Sequence, residues 1–280
     1  MTALYISIGL LVALAALWLF MIAAKRDKRM DSYDGTYFAH RGLHGKLDLY
    51  EDAAPENSLK AFSRAVEQGF GIELDVRQTK DGQIVVFHDD DLVRAAGIDR
   101  KISDMTYDEL VGVSLFGTDE RIPLFEEVLA LVAAKVPLLV EIKDDGYKST
   151  PAAVMQILST YSGEYITESF NPLVMGAVKK AAPDVMRGFL CDHLTLNSKY
   201  RGIKYEVVQR NLLNFIARPH FIAGNFENLP IFPTGIIRRL FRPAMLAWTV
   251  RSEEEEKTAR SKGFTGMIFE GYIPEGKSKG

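Results

Sequence analysis

Between Phe70 and Asp89 the chain reads F-G-I-E-L-D-V-R-Q-T-K-D-G-Q-I-V-V-F-H-D. Ile72, Leu74 and Val76 alternate with Glu73, Asp75 and Arg77, so an extended backbone puts the two carboxylates on one side, a few ångströms apart. Asp81-Gly82 supplies the freedom for a reversal, and a second apolar run, Ile84 to Phe87, delivers His88 and Asp89 at its end. The same two-residue spacing recurs at Glu141 and Lys143, and the run Tyr37–Ala39 ends in His40-Arg41-Gly42. Carboxylates can hold a cation, imidazoles exchange protons near neutral pH, and Arg and Lys pair with anionic oxygens. The carboxylates and the histidine together describe a metal-assisted acid–base site.

Such residues need a scaffold that gathers them. Strands are expected at Tyr37–Ala39, in the run from Phe70, and at Pro137–Lys143, Tyr165–Phe170, Met186–Leu190, His220–Ala223, Met245–Val250 and Gly266–Phe269. Helical patterns fall between them: up to Gln68 after an Asn57-Ser58 cap, then Leu124–Lys135, Pro151–Tyr161, Pro172–Ala182, Lys204–Ala217, Gly235–Phe241 and Glu253–Lys262. Eight strands alternating with helices imply parallel pairing and an α/β fold, a closed TIM (β/α)8 barrel, with an open doubly wound sheet as the alternative. Barrels gather functional groups at the carboxyl ends of their strands, which places His40, Glu73, Asp75, Glu141 and Lys143 on one rim. An inward carboxylate among the apolar side chains of a barrel is costly unless a cation neutralises it, while Ile72, Leu74 and Val76 suit the helix layer. Glu73, Asp75 and Glu141 are therefore expected as metal ligands, and an all-oxygen set suits Mg²⁺ or Ca²⁺ better than zinc. The plainer alternatives are a solvated strand face for Glu73 and Asp75, a hydrogen-bonded core residue for His40 and a turn cap for His88. His44, His193 and His220 lack comparable partners and are expected to be surface or structural residues, with His44 nearest the site.

At 280 residues, 47% hydrophobic and 25% charged, the composition is ordinary for a globular chain. A net charge of −3 lacks the basic footprint of nucleic-acid binding. The single cysteine, Cys191, excludes an intramolecular disulfide and is expected in the core. No Gly-x-Gly-x-x-Gly or Walker-type loop marks a nucleotide site. Leu4 to Ala24 is an apolar run that spans roughly 30 Å as a helix. Lys25, Arg26, Lys28 and Arg29 follow it and no Lys or Arg precedes it. Its length and the missing basic leader favour a retained single-pass membrane anchor over a cleaved signal peptide, and the charge asymmetry puts the catalytic bulk in the cytoplasm. The expected organisation is an anchor over 1–25, a juxtamembrane tether over 26–36 and a barrel over 37–280. No pattern specifies an oligomeric state.

Taken in order, H-R-G (40–42), P-E-N-S (55–58), E-L-D-V (73–76), T-K-D-G (79–82), V-V-F-H-D (85–89), I-P-L (122–124), V-E-I-K (140–143), S-F (169–170) and W-T-V (248–250) resemble the glycerophosphodiester phosphodiesterase family. The resemblance runs from Tyr37 to Ile273. It implies a TIM barrel that hydrolyses glycerophosphodiesters to glycerol 3-phosphate and an alcohol with one divalent cation. Carried over position by position, it makes His40 and His88 the general acid/base pair and Glu73, Asp75 and Glu141 the metal ligands. Arg41 and Lys143 would hold phosphate oxygens, Asn57 would help position the site, and Phe170 and Trp248 would line the pocket wall. It also implies attack by the glycerol's own 2-hydroxyl, giving a cyclic phosphate that water then opens.

The chain departs from the family pattern in places. The loop Leu43–Ala54 is longer than in the simplest members and carries His44, Asp48, Tyr50 and Glu51, so it is a candidate lid. Arg251 follows W-T-V where many members have Asn, and Thr265–Glu270 replaces a D-G-I-I-T-D stretch. Neither change is expected to touch the metal or acid–base residues. Asp90–Pro123 is short where some members carry a large inserted subdomain. Two other functions compete: a membrane-tethered phospholipase D-like enzyme acting on lysophospholipids, motivated by the anchor, and a non-catalytic barrel module, which the intact His and carboxylate set argues against. The apolar and basic stretch from Phe215 to Arg242 is read as ordinary helix packing ahead of a membrane-facing surface.

Overall fold

A computed structural model of the chain describes residues 1–146, 148–196 and 200–275; residues 276–280, the end of the expected barrel, lie outside the described residues. Helix α1 (Thr2–Ile22) is followed by a 3-10 turn at Lys28–Tyr33 and strand β1 (Tyr37–Ala39). Helix α2 (Leu59–Gln68) leads into β2 (Gly71–Gln78), which reverses into the antiparallel β3 (Ile84–Val86). An excursion then holds β4 (Asp91–Leu92), α3 (Val93–Ala96), β5 (Ile98–Lys101) and α4 (Tyr107–Leu110). The remaining order is α5 (Phe125–Val132), β6 (Leu138–Ile142), α6 (Thr150–Leu158), β7 (Tyr165–Ser169), α7 (Pro172–Ala181), β8 (Arg187–Cys191), α8 (Ile203–Gln209) and α9 (Asn214–Ala217). It finishes with β9 (Phe221–Asn225), α10 (Thr234–Phe241), β10 (Ala244–Val250), α11 (Glu253–Ser261) and β11 (Gly266–Phe269).

Strands β1, β11, β10, β9, β8, β7, β6 and β2 pair in parallel in that spatial order, and β2 pairs with β1 through Phe38↔Gly71 to close the cylinder. That closure makes the fold a TIM barrel and excludes the open sheet. Local chemistry sets the helix ends: the Ser58 side chain accepts from the Ala61 N–H at the start of α2, and Gly69, at φ +73°, ends it. The expected helix Lys204–Ala217 is broken into α8 and α9. Asn211 sits between them at φ +57°, a conformation Asn tolerates, and its Oδ1 accepts from the buried Cys191 Sγ at 3.1 Å.

Alternation along each strand separates two cores. Ile72, Leu74, Val76, Leu138, Val140 and Ile142 face outward into one apolar layer with Phe62, Phe125 and Val128 of the surrounding helices. The inward residues Phe38, Leu139, Ile166, Phe221, Leu246 and Ile268 fill the lower barrel, joined by Met30 and Tyr33 from the 3-10 turn, with Tyr33 stacked on Phe38 at 6.2 Å. The excursion carries its own small core, including Leu92, Ile102, Leu110, Leu115 and Ile122. The last turn of α1 is held directly by the barrel: Asn214 Nδ2 donates to the Ile22 carbonyl at 2.9 Å, and Arg218 Nη1 to the Phe20 carbonyl at 3.0 Å. The backbone N–H of Lys25 donates to the Pro219 carbonyl at 2.8 Å. By length and composition α1 is a candidate membrane span.

The lower barrel is filled to the limit at Gly188, where a Cβ would overlap the ring of the fully buried Phe221. Gly188→Ala is therefore expected to destabilise the chain by about 1–3 kcal/mol through overpacking, read as a lower denaturation midpoint. Adding Phe221→Leu should recover part of the loss. An unchanged midpoint for Gly188→Ala would show that the ring is not wedged against β8.

Candidate active site

On the inner face, one pleat above the apolar floor, the side chains turn polar. β2, β6 and β7 lie side by side with Asp75 opposite Glu141 and Glu141 opposite Glu168. Three carboxylates thus form a row around the rim, with Glu73 one inward position below Asp75. All four residues are buried. One ligand oxygen from each of Glu73, Asp75 and Glu141 lies within 4.8 Å of the others.

Two cations and an amide hold this cluster. Lys143 Nζ lies 2.7 Å from Asp75 Oδ1 and 2.8 Å from Glu141 Oε1. The Arg41 backbone N–H donates to Glu73 Oε2 at 2.9 Å, while its guanidinium reaches Glu56 Oε1 at 2.8 Å and Asp75 Oδ2 at 3.4 Å. Asn57 Nδ2 donates to the same Asp75 Oδ2 at 2.8 Å. Arg41 and Asn57 both adopt the left-handed backbone, at φ +53° and +55°, and such conformations in non-glycine residues collect at functional sites.

The charges remain unbalanced. Burial, then Asp75 and Glu141, push Glu73 well above the ordinary carboxylate range. Burial also pushes Asp75 up, but Lys143, His88 and Arg41 overcome it and hold the carboxyl well below its usual value. Glu141 is pushed up to about 6 by burial against the pull of Lys143. Glu168 is driven well above its usual range by burial, Glu73 and Glu141, and its buried Oε2 has no hydrogen-bond partner. Among the described residues, the cations paired with these four buried carboxylates are Arg41 and Lys143. Uncompensated negative charge on clustered oxygen donors fits one divalent cation held by Glu73, Asp75 and Glu141.

Two imidazoles flank the cluster, each fixed in the same way. His40 Nδ1 lies 2.6 Å from Glu270 Oε2, and His88 Nδ1 lies 2.7 Å from Asp89 Oδ1. A carboxylate on Nδ1 fixes the tautomer and leaves Nε2 for chemistry. Burial lowers His88 to about 4, with Lys143 and Arg41 adding to it against Asp75, and burial outweighs Glu270 in lowering His40. Hydrogen bonding from His40, with His44 close by, holds Glu270 well below the carboxylate range. The Asp89 carboxylate continues outward to Arg94 at 2.6 Å, Arg94 pairs with Glu56, and Glu56 returns to Arg41. Buried Arg77 donates twice to the His88 carbonyl, at 3.1 and 2.9 Å, and fixes the end of the β3 run.

These contacts correct two sequence expectations. Arg251 and Glu270, expected to leave the acid–base residues untouched, pair with each other at 2.7 Å, and the second Glu270 oxygen holds His40. His44 is no bystander: its Nε2 lies 3.6 Å from Glu270 Oε2, and its ring centroid is 6.4 Å from that of His40. His220 is structural, with Nδ1 accepting from the Arg187 N–H at 3.3 Å. Glu56, Arg77, Asp89, Arg94 and Glu168 also serve the site, although the sequence pattern assigns none of them a role there. Glu56 and Asp89 lie inside P-E-N-S and V-V-F-H-D, and Glu168 directly precedes S-F, where alternation along T-E-S-F puts it on the inner face.

A cavity of about 260 Å³ opens over the cluster, lined by His40, Arg41, Glu73, His88, Glu141 and Glu168 on its polar side. Phe170 and Trp248 form an aromatic wall, edge-to-face at 5.7 Å, with Trp248 Nε1 donating to the Ala223 carbonyl. Asp75, Asn57 and Lys143 stand behind the lining. The cavity can take an anionic group beside two imidazoles, with room along an aromatic face.

Residues 40–271 match the model of the glycerophosphoryl diester phosphodiesterase family. A glycerophosphodiester phosphodiesterase of Caldanaerobacter subterraneus subsp. tengcongensis is 31% identical over 82% of this chain and 91% of its own length. Lysophospholipase D GDPD1 of Homo sapiens is 36% identical over 86% of this chain and 85% of its own length. Among solved structures, an Oleispira antarctica phosphodiesterase in complex with the product sn-glycerol-3-phosphate superposes with a TM-score of 0.69 at 23% identity, covering 85% of this chain and 94% of that one. That likeness independently supports the fold. The barrel, its rim chemistry and these matches give one result: the chain is an enzyme of the glycerophosphoryl diester phosphodiesterase family.

Proposed function

We propose that this chain hydrolyses glycerophosphodiesters to glycerol 3-phosphate and an alcohol, with His40 and His88 as the acid–base pair. The carrying observation is the paired geometry: two imidazoles, each held at Nδ1 by a carboxylate, on either side of Glu73, Asp75 and Glu141. In this reading those three residues hold one Mg²⁺ or Ca²⁺, which when bound neutralises phosphoryl oxygens. Arg41 and Lys143 add positive charge beside the phosphate, and Asn57 keeps Asp75 aimed. Phe170 and Trp248 confine the glycerol or head-group side. One imidazole takes the proton of the attacking hydroxyl as the new P–O bond forms, and the other protonates the alcohol oxygen as the old one breaks. Glu270 and Asp89 each face an imidazole that is cationic on one side of the transfer: the base after it takes its proton, the acid before it gives one up.

We further place α1 as a retained anchor over 1–25, with 26–36 joining it to a catalytic domain over 37–280 on the cytoplasmic side. The basic residues after α1 and the hydrogen bonds gripping its last turn support this. The anchor, together with the relative named Lysophospholipase D, supports a second reading: phospholipase D-like cleavage of lysophospholipids.

The full chain is to be assayed with glycerophosphocholine, glycerophosphoethanolamine and a lysophospholipid, with and without Mg²⁺ or Ca²⁺ and after chelation. Free glycerol 3-phosphate is the expected product, and chelation should abolish it. Lysophosphatidic acid or its cyclic form as the main product would favour the second reading, and no turnover of any of the three would end both. His40→Ala or His88→Ala should lower kcat by about 10²–10⁴-fold with the melting profile intact. Near-normal rates in both variants would refute the acid–base assignment.

The cluster also sets a pH dependence. Glu73, Glu141 and Glu168 have folded values above the ordinary 4.5, Glu141 at about 6, so the folded chain keeps protons that the unfolded chain releases. Their stabilisation is complete below the unfolded value and is lost as pH rises through the folded ones; Asp75, held low, works in the opposite sense. A cation takes the place of those protons over the same window. Added Mg²⁺ or Ca²⁺ should therefore raise the melting temperature little near pH 5 and clearly near pH 8, and Glu73→Gln should remove most of the gain. Equal gains at both pH values would rule out this cluster as the cation's seat.

A further inference from the structure

We propose that α10 and the turn before it form a second membrane contact, an interfacial surface that lays the barrel against an anionic leaflet beside the anchor. This rests on reading α1 as a membrane anchor. Because the barrel holds the last turn of α1 by side-chain to backbone hydrogen bonds, its orientation relative to the span is fixed. Whatever adjoins that turn sits at the depth where the span leaves the bilayer. Trp18 lies one turn before the end of α1, the level at which Trp collects in membrane proteins. Its ring stacks on Phe232, with centroids 5.6 Å apart and planes 11° apart. Phe232 is nevertheless 62% exposed.

Helix α10 begins two residues later. Thr234 and Ile237 are buried against the core, whereas Leu240, one turn beyond the half-buried Ile236 on the outer stripe, is 58% exposed. Packing explains the buried part of the stretch and leaves Phe232 and Leu240 uncovered. Arg238, Arg239 and Arg242 are exposed beside Leu240. Arg238 is tied to the Lys262 carbonyl, while Arg239 and Arg242 make no ion pair among the described residues. Lys25 and Arg26, also exposed where α1 emerges, pair with Asp27 and Asp31, so the free positive charge of this face lies on Arg239 and Arg242. Bulky apolar side chains flanked by arginines, on α10 and on the turn that meets Trp18 of the span, match the apolar boundary and anionic phosphates of a leaflet. Continuity with the anchor and this charge select a lipid surface over a second copy of the chain.

The test uses the full chain in nanodiscs of phosphatidylcholine alone or mixed with phosphatidylglycerol. Leu240→Cys carries an environment-sensitive fluorophore, and Leu173→Cys, 64% exposed on α7, serves as the control. With phosphatidylglycerol, label at 240 should shift to the blue and resist an aqueous quencher, while label at 173 should not. In a chain also carrying Arg239→Glu and Arg242→Glu, the docking constant should fall roughly 30-fold or more and the protection should vanish, with catalytic turnover of a soluble diester unchanged. Equal quenching at 240 and 173, or protection indifferent to lipid charge and to the arginine changes, overturns the inference. Protection that appears in lipid-free micelles and grows with protein concentration assigns the face to a second copy and overturns it as well. Alkaline extraction separates the two layers. If alkali strips the chain from membranes, the anchor reading fails and takes this one with it; if the chain stays and 240 is exposed, only this inference fails.

Discussion

The arrangement of the rim follows from one electrostatic constraint: strand register places more carboxylates on the inner face of the barrel than its cations can balance. Asp75, Glu141 and Glu168 are locked opposite one another by backbone pairing, so they cannot relax apart. Lys143 bridges two of them, Arg41 reaches Glu73 through its backbone and Asp75 through its side chain, and Asn57 takes a remaining Asp75 lone pair. Removing one partner from a buried ion pair costs about 3–5 kcal/mol, so each of these supports is structurally costly to lose. The residual charge makes the cluster a place for protons or a divalent cation, and the two imidazoles stand beside it.

A second layer of charge holds that centre in position. His88 is not on a barrel strand; it ends a segment folded back antiparallel on β2, which by itself would be free to shift. Arg77 fixes the backbone at His88, and Asp89, Arg94 and Glu56 link its ring to Arg41. His40 obtains the same support from the other side of the cylinder, through Glu270 and Arg251 just past the ends of the last two strands. Both imidazoles are thus oriented by residues remote in sequence from one another.

The parts legible in the sequence were those written with a local period. Alternation along β2 separated Glu73 and Asp75 from Ile72, Leu74 and Val76, and the regular succession of strand and helix patterns indicated a closed barrel. Ser58 announced the start of α2. Long-range register was less accessible. Glu168 looks like any polar residue near a strand end until β7 is set beside β6. Arg251 and Glu270 each looked like an isolated departure, and only the neighbouring course of β10 and β11 makes them partners. His44 sits in a loop with no periodic signal, and Asn211 breaks a helix whose apolar pattern runs straight through it.

The underside of the barrel bears on the order in which the chain can settle. Met30 and Tyr33 seal the base of the cylinder, Gly35 N–H donates to the Thr265 carbonyl, and β1 pairs with β11 at Tyr37↔Met267. The stretch directly behind the hydrophobic helix therefore finds its seat only when β11, far along the sequence, arrives. Until then the base of the cylinder stays open at Tyr33 and Phe38, although α9 and Arg218, which hold the last turn of α1, lie earlier in the chain.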